Sequence, residues 1–249
     1  MANAIGTKEW LATTGGKLGF RDRLATIFHG VKARAASKKA YQSGRKFRSI
    51  EVDDILPPDT PICQEAIQLS KEASHPYLFN HCFRAYFWAR LMNGEQKFDD
   101  EAVFTALMLH DLGLTDSYRL KGSDQQCFTL PASEIAEKLA LKHKWSDKRA
   151  LIVYNAISLH LNVIVDAKHG REAELVRMGS GADVAGIRMF QLEDDQISRV
   201  VEKFPRLDLK NQMQQALEIE TTERPCCRVA FMNKKLGFGN LIQDSLFDE

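Results

Sequence analysis

The 249-residue sequence has no long apolar segment and no cysteine pattern typical of disulfides. No apolar run approaches the roughly 20 residues that a membrane-spanning helix requires, and the first residues lack the apolar core of a secretory signal. Five cysteines form no C-x-x-C pair and leave one over, as is usual in a reducing compartment: Cys63, Cys82, Cys127, Cys226 and Cys227. We therefore expect a soluble, cytoplasmic protein whose core needs no disulfides.

The alternation of apolar and polar residues that marks β-strands is also nearly absent. From residue 61 to residue 222, eight segments instead carry apolar residues at three- and four-residue intervals, which is the spacing of one helix face. Asp99-Asp100 and Ser146-Asp147 precede two of these segments and are typical of helix starts. The pattern predicts an all-α fold, a helical bundle.

The formal net charge of +1 hides an uneven distribution along the chain. Residues 1–50 contain eleven lysines and arginines against two acidic residues, whereas the remainder contains 23 basic and 31 acidic residues. Within the basic part, the apolar residues of segment 21–43 have helical spacing, which predicts an amphipathic helix there. We divide the chain into a basic N-terminal arm and linker, residues 1–54, and a helical bundle, residues 55–249.

Such a basic N-terminal extension is suited to several partners. Its charge could attract nucleic acid or an anionic membrane. A solvated extension that binds neither is the more ordinary interpretation of a charged segment, and we favour it. The sequence leaves the oligomeric state open, including a homo-oligomer.

Four polar positions interrupt apolar helices. His81, His110-Asp111 and His160 lie within apolar runs, and Asp183 lies among small residues in "GSGADVAG". A single buried histidine commonly bonds a backbone carbonyl, but several such groups together form a nitrogen and oxygen set suited to a divalent transition metal. We expect zinc before iron or manganese. Because adjacent helical residues point about 100° apart, His110 and Asp111 can reach one ion only near a helix end, which we assign to Gly113.

These residues also carry a family resemblance. The order of His81, His110-Asp111 and Asp183 on successive helices resembles the HD-domain superfamily of metal-dependent hydrolases. More narrowly, "NHCFRAYFWARLM" (80–92) resembles the N-H-S-x-R-x-Y motif of the cyanamide hydratase subgroup, with Cys82 where serine is usual. The segments "LMLHDLGLTD" (107–116), "AISLHLN" (156–162) and "KFPRL" (203–207) resemble three further parts of that subgroup.

The resemblance implies a fold, a reaction and a set of residues. The fold would be the HD-domain helical bundle, the metal zinc or iron, and the reaction hydration of a small nitrile such as cyanamide to urea by hydroxide generated at the metal. The implied metal ligands are His81, His110, Asp111 and Asp183. The implied catalytic residues are Asp111 together with His160 and Asp116, either of which would transfer a proton. The implied substrate-binding residues are Asn80, Arg84 and Thr115.

Two other functions stay open at this point. A phosphohydrolase acting on a nucleotide or small phosphate ester would use Arg84, Arg119 and Lys121 as partners for phosphate. However, Leu114-Thr115 replace both the lysine of cyclic-dinucleotide phosphodiesterases and the Glu-Asp pair of alarmone hydrolases. The third function is non-enzymatic, with an HD-like module that binds nucleic acid or membrane through its basic arm.

Overall fold

The computed structural model describes residues 4–48, 50–120 and 126–249, and these contain twelve α-helices and no β-strand. The all-α prediction is therefore confirmed. The helices are α1 (Lys8–Thr14), α2 (Phe20–Gln42), α3 (Pro61–Ala73), α4 (Pro76–Asn93), α5 (Asp100–Leu109), α6 (Thr129–Lys142), α7 (Asp147–Leu159), α8 (Arg171–Ala185), α9 (Asp194–Lys203), α10 (Leu209–Glu223), α11 (Arg228–Leu236) and α12 (Phe238–Gln243). Lys121 lies outside the described residues.

The helix starts follow the capping residues of the sequence. Asp99 caps α5 by accepting a hydrogen bond from the backbone N–H of Ala102, and Ser146 caps α7 by accepting one from Arg149. These caps satisfy N–H groups that have no partner within the helix. None of the described helices is both long enough and apolar enough to span a membrane, and no disulfide links the five cysteines.

Helix α4 is the centre of the bundle and is buried along most of its length. Helices α5 and α8 pack against it, α7 packs against both of these, and one apolar core joins the four helices. The contact with α8 is close, because a Cβ added at Gly179 would lie only 2.1 Å from the backbone oxygen of Ala85 in α4. The small residues of "GSGADVAG" thus permit the close helix approach that the sequence indicated.

This close approach leads to a first prediction. We expect Gly179→Ala to destabilise the protein by about 1–3 kcal/mol, because the methyl group must push two packed backbones apart. A matched control is Gly181→Ala, whose added Cβ would meet only the tip of the Ile187 side chain at 3.2 Å. Urea unfolding measures both variants. Equal stability of the two variants would show that α4 and α8 can separate freely.

The predicted N-terminal arm contains two different parts. Helix α1 packs against the bundle, because Trp10 and Leu11 are buried in a small cluster with Tyr154 of α7. Helix α2 has no buried residue over its 23 positions. The domain boundary near residue 55 stays a prediction. Val52, before the boundary, and Ile55, after it, both lie in the main core, so the extent of the core does not mark the boundary.

Candidate metal centre

Three helices bring the central polar residues together. His81 lies in the middle of α4, whereas His110 and His160 occupy the first positions after α5 and α7. Asp111 follows His110 with φ −106° and ψ 10°, so the chain has already left helical geometry there. The prediction that His110 and Asp111 meet at a helix end is confirmed.

Gly113 has a different part from the one predicted. Helix α5 ends at Leu109, and Gly113 lies in a 3₁₀ turn formed by Leu112–Leu114. A Cβ at Gly113 would lie 1.9 Å from the backbone oxygen of Phe128. Glycine is therefore needed for the close approach of two chain segments, and not to end the helix.

The side chains of His81, His110 and Asp111 form a compact buried group. The two Nε2 atoms of the histidines lie 3.1 Å apart, and Asp111 Oδ2 lies 3.4 Å from each of them. His160 approaches from the other side, with its Nε2 atom 3.6 Å from Asp111 Oδ1. The structure thus brings together three of the four predicted ligands, of which Asp111 is also a predicted catalytic residue, and a second predicted catalytic residue, His160.

The opposite ring nitrogens fix the tautomers of two of these histidines. His110 Nδ1 lies 2.8 Å from the carbonyl of Leu107, and His160 Nδ1 lies 2.6 Å from the carbonyl of Ile157. A carbonyl oxygen only accepts, so both Nδ1 atoms carry the proton and donate. The lone pairs of His110 Nε2 and His160 Nε2 therefore face Asp111.

This donor set fits a divalent metal ion. Two imidazole nitrogens and one carboxylate oxygen lie close together, and none of these three atoms carries a hydrogen to donate. Such a buried group of acceptors is stable only around a cation or a shared proton. Metal–ligand bonds of 2.0–2.1 Å in a tetrahedral site place neighbouring ligand atoms roughly 3.3 Å apart. The separations of 3.1 and 3.4 Å agree with that requirement.

Burial and charge shift the pKa values of His110 and Asp111 in favour of a metal and shift the pKa of His81 against it. Burial lowers the pKa of His110, and burial together with the nearby His110 lowers the pKa of His160 to about 3, so both rings are neutral at pH 7. Burial opposes ionisation of Asp111, but the adjacent imidazoles outweigh it and lower the pKa of that carboxyl. For His81, burial is outweighed by its bonds to Asp111 and Asp183, which raise the pKa of the ring.

Asp183 lies behind His81 and outside this compact group. Its Oδ2 atom accepts a hydrogen bond from His81 Nδ1 at 2.7 Å, on the side of the ring that faces away from His110. Arg84 donates one hydrogen bond to each carboxylate oxygen, at 2.8 and 2.9 Å, and the indole N–H of Trp88 donates to Oδ1 at 2.8 Å. Asp183 therefore touches the group only through His81, and the ligand role that the sequence assigned to it stays a prediction.

The predicted substrate-binding residues form hydrogen bonds with other parts of the chain. The third guanidinium nitrogen of Arg84 donates to the carbonyls of Phe204 and Pro205, and Asn80 also donates to Pro205. Thr115 donates to the carbonyl of Leu112 within its own turn. The structure brings none of these three side chains to the centre.

Asp116, one of the two predicted proton-transfer residues, is exposed at the surface. It is not among the residues that line the cavity beside the centre. His160 does line that cavity, so of the two it alone lies where a proton could be exchanged with a bound molecule.

The sequence assigned no role in the site to the "KFPRL" segment, although this segment resembles part of the hydratase subgroup. Its carbonyls hold Arg84, and Arg206 donates to the backbone oxygen of Asp183 at 3.0 Å. The segment therefore supports the Arg84–Asp183 pair from behind. Trp88 stands in an aromatic run of the sequence, and nothing in that run signals a polar contact of its indole N–H.

The centre forms part of the wall of a cavity of about 570 Å³. His81, His110, Asp111 and His160 line it at one side, and most of the remaining wall is apolar. A molecule in this cavity would therefore meet the metal ligands and His160 together.

Comparison with known proteins agrees with this arrangement. The model of one protein family, the HD domain, matches residues 78–202, a range that includes the whole centre and Asp183. No curated protein matches the chain.

Proposed function

The chain belongs to the HD-domain family, and from this premise we propose that it is a metal-dependent enzyme that hydrates a small nitrile, such as cyanamide to urea. In this reaction water adds across the carbon–nitrogen triple bond: the oxygen bonds to carbon, and both protons end on the product. The observation that supports the proposal is the convergence of His81, His110 and Asp111 beside a largely apolar cavity.

The ligand set is suited to zinc first, with iron or manganese next. Its mixed nitrogen and oxygen donors without a thiolate are typical of catalytic sites, which keep a position open for water. A divalent ion held by His81, His110 and Asp111 would lower the pKa of a water molecule beside it towards neutrality and so would supply a hydroxide nucleophile. The Asp111 carboxylate would offset part of the positive charge of such an ion.

His160 is the proposed proton-transfer residue. Its Nδ1–H is fixed by the carbonyl of Ile157, so its Nε2 atom is free to accept a proton on the cavity side. In the proposed reaction, Nε2 takes the proton that the water loses on becoming hydroxide and passes it directly to the nitrogen of the former nitrile, because a ring with a pKa of about 3 does not retain a proton. Such proton transfer typically contributes a factor of about 10²–10⁴ to the rate.

Hydration of a neutral group accords better with this site than cleavage of a phosphate ester. Two of the cations expected to hold phosphate are used elsewhere, since Arg84 bonds Asp183 and Arg119 bonds the carbonyl of Leu114 at 2.6 Å. A phosphoryl group carries negative charge that needs such partners. The walls nearest the centre include Leu114 and Phe128, which suit an uncharged substrate.

One observation favours phosphohydrolase as the second candidate. Arg177 lines the cavity, and its Nε atom is buried without a hydrogen-bond partner among the described residues. Its Nη1 atom makes only a 3.4 Å contact with the carbonyl of Val163. An anionic substituent of a substrate could occupy this position.

The test is a direct comparison of the two reactions on the metal-loaded full chain. We expect urea from cyanamide, with the rate reduced about 10²–10⁴-fold in His160→Gln while the metal content stays unchanged. Mass spectrometry of the product and metal analysis of the protein provide the two measurements. A metal-loaded protein that leaves cyanamide and other nitriles intact, but releases phosphate from nucleotides, would replace the first candidate by the second.

A further inference from the structure

The cavity beside the metal centre is much larger than a nitrile group. Its volume is about 570 Å³, whereas cavities of roughly 300–1,000 Å³ hold ligands of drug size. Cyanamide has only three non-hydrogen atoms and would leave most of this space to water. The size of the cavity therefore indicates a substrate with a larger body than the reacting group alone.

The wall of this cavity is mainly apolar, with several cationic side chains among the residues that line it. Its apolar lining includes Val184 of α8, Met213 and Leu217 of α10, and Val229 and Met232 of α11, and its cationic lining consists of Arg34, Arg177, Arg188 and Lys235. An apolar wall of this extent releases free energy when it is covered by an apolar ligand, and it gives little to a polar one. The body of the substrate should accordingly be an alkyl or aryl group.

Helix α2 forms the roof of the same cavity. Ile27, Gly30, Val31, Arg34 and Ser37 line it, and their spacing places them along one face of the helix. Ile27 and Val31 are 42% and 64% exposed, and both line this mainly apolar cavity. A ligand beneath the roof would cover these two side chains.

Few contacts hold α2 in this position. It crosses α11 at Gly30, where an added Cβ would lie 3.3 Å from the side chain of Leu236. Near its C-terminal end, the ring of Tyr41 packs edge-on against Phe190 with 5.3 Å between centroids. The predicted basic arm therefore includes a wall of the cavity.

We infer that the substrate is a nitrile with an apolar alkyl or aryl substituent, and that this substituent lies under α2 while the nitrile faces His160 and the metal ligands. The inference rests on the proposed function for the reacting group only. The size and chemistry of the binding cavity do not depend on it.

The first test is equilibrium binding of straight-chain nitriles, from acetonitrile to octanenitrile, to the metal-loaded full chain. Each added methylene group should lower the Kd about three- to fourfold until the cavity is filled. Calorimetry measures this trend without any turnover. A Kd that does not change with chain length would overturn the inference.

The second test uses matched variants of α2. Ile27→Asp should weaken the binding of octanenitrile at least about tenfold and leave the Kd of acetonitrile nearly unchanged, because a carboxylate would then face the alkyl chain. Leu24→Asp is the control, since Leu24 is similarly exposed on the same helix but does not line the cavity. Val31→Asp is a second roof variant in case Ile27→Asp alters the fold, which thermal unfolding reports.

These experiments separate the inference from the proposed reaction. Binding that tightens with chain length, without hydration of any nitrile, would overturn the reaction and support the cavity assignment. Hydration of nitriles with rates and Kd values that do not depend on chain length would support the reaction and overturn the cavity assignment. Equal effects of Leu24→Asp and Ile27→Asp on octanenitrile binding would overturn the assignment of α2 as the roof.

Discussion

The His110→Ala variant should lose its bound metal and its activity together. His110 Nε2 lies 3.1 Å from His81 Nε2 and 3.4 Å from Asp111 Oδ2, so the substitution removes one of the three ligand atoms. Replacement of residues that merely support metal ligands typically costs 10–100-fold in metal affinity, and loss of a ligand should cost at least about a hundredfold. Metal analysis after dialysis and the rate of cyanamide hydration measure the two losses.

A matched control for this variant is His143→Ala. His143 lies just after α6, where its Nε2 atom is 2.9 Å from Glu65 Oε2 near the surface. The same loss of an imidazole there should change neither metal content nor rate. Full metal content in purified His110→Ala would show that the ion binds elsewhere in the chain.

The second large effect concerns stability. Asp183→Ala should destabilise the metal-free protein by about 3–5 kcal/mol, because it leaves the fully buried guanidinium of Arg84 without its carboxylate partner. The indole N–H of Trp88 and the Nδ1–H of His81 would lose their acceptor at the same time. Urea unfolding in the presence of a chelator measures this loss without any contribution from metal.

Asp111→Ala is the comparison variant that distinguishes a residue that stabilises the fold from a residue that binds the metal. The Asp111 carboxylate lies among imidazole nitrogens and pairs with no arginine in the described structure. Its removal should therefore cost the metal-free protein less than the removal of Asp183 costs. In the metal-loaded protein, Asp111→Ala should abolish the stabilisation that the ion provides. If Asp183→Ala were destabilising only when metal is present, Asp183 would act mainly as a ligand.

The polar positions of the sequence predicted the centre well, for a physical reason. A histidine or aspartate within a buried apolar helix must have a partner, so several such residues in one chain are expected to meet one another. The same logic located His81, His110, Asp111 and His160. It could not decide which nitrogen of His81 faces Asp183, because that depends on the rotation of one ring.

Two residues have partners that the sequence could not reveal, and their substrate-binding role stays a prediction. Arg84 and Asn80 belong to the motif that resembles the hydratases, and the sequence contains no sign that carbonyls more than 100 residues later would bind them. The position of α2 was equally hidden. The helical spacing of apolar residues over 21–43 predicted a helix but not its neighbours, and no residue of α2 is buried, so only the fold could show that Ile27 and Val31 line a cavity.

His110 and His160 share an arrangement with a consequence for the lifetime of the site. Each ring donates to a carbonyl three residues earlier in its own helix, Leu107 for one and Ile157 for the other. The helices therefore preorganise both imidazoles, which keep one orientation whether or not an ion is held between them. We expect that one ion could be exchanged for another without unfolding, and that the supply of metal in the surroundings would decide which ion the protein carries.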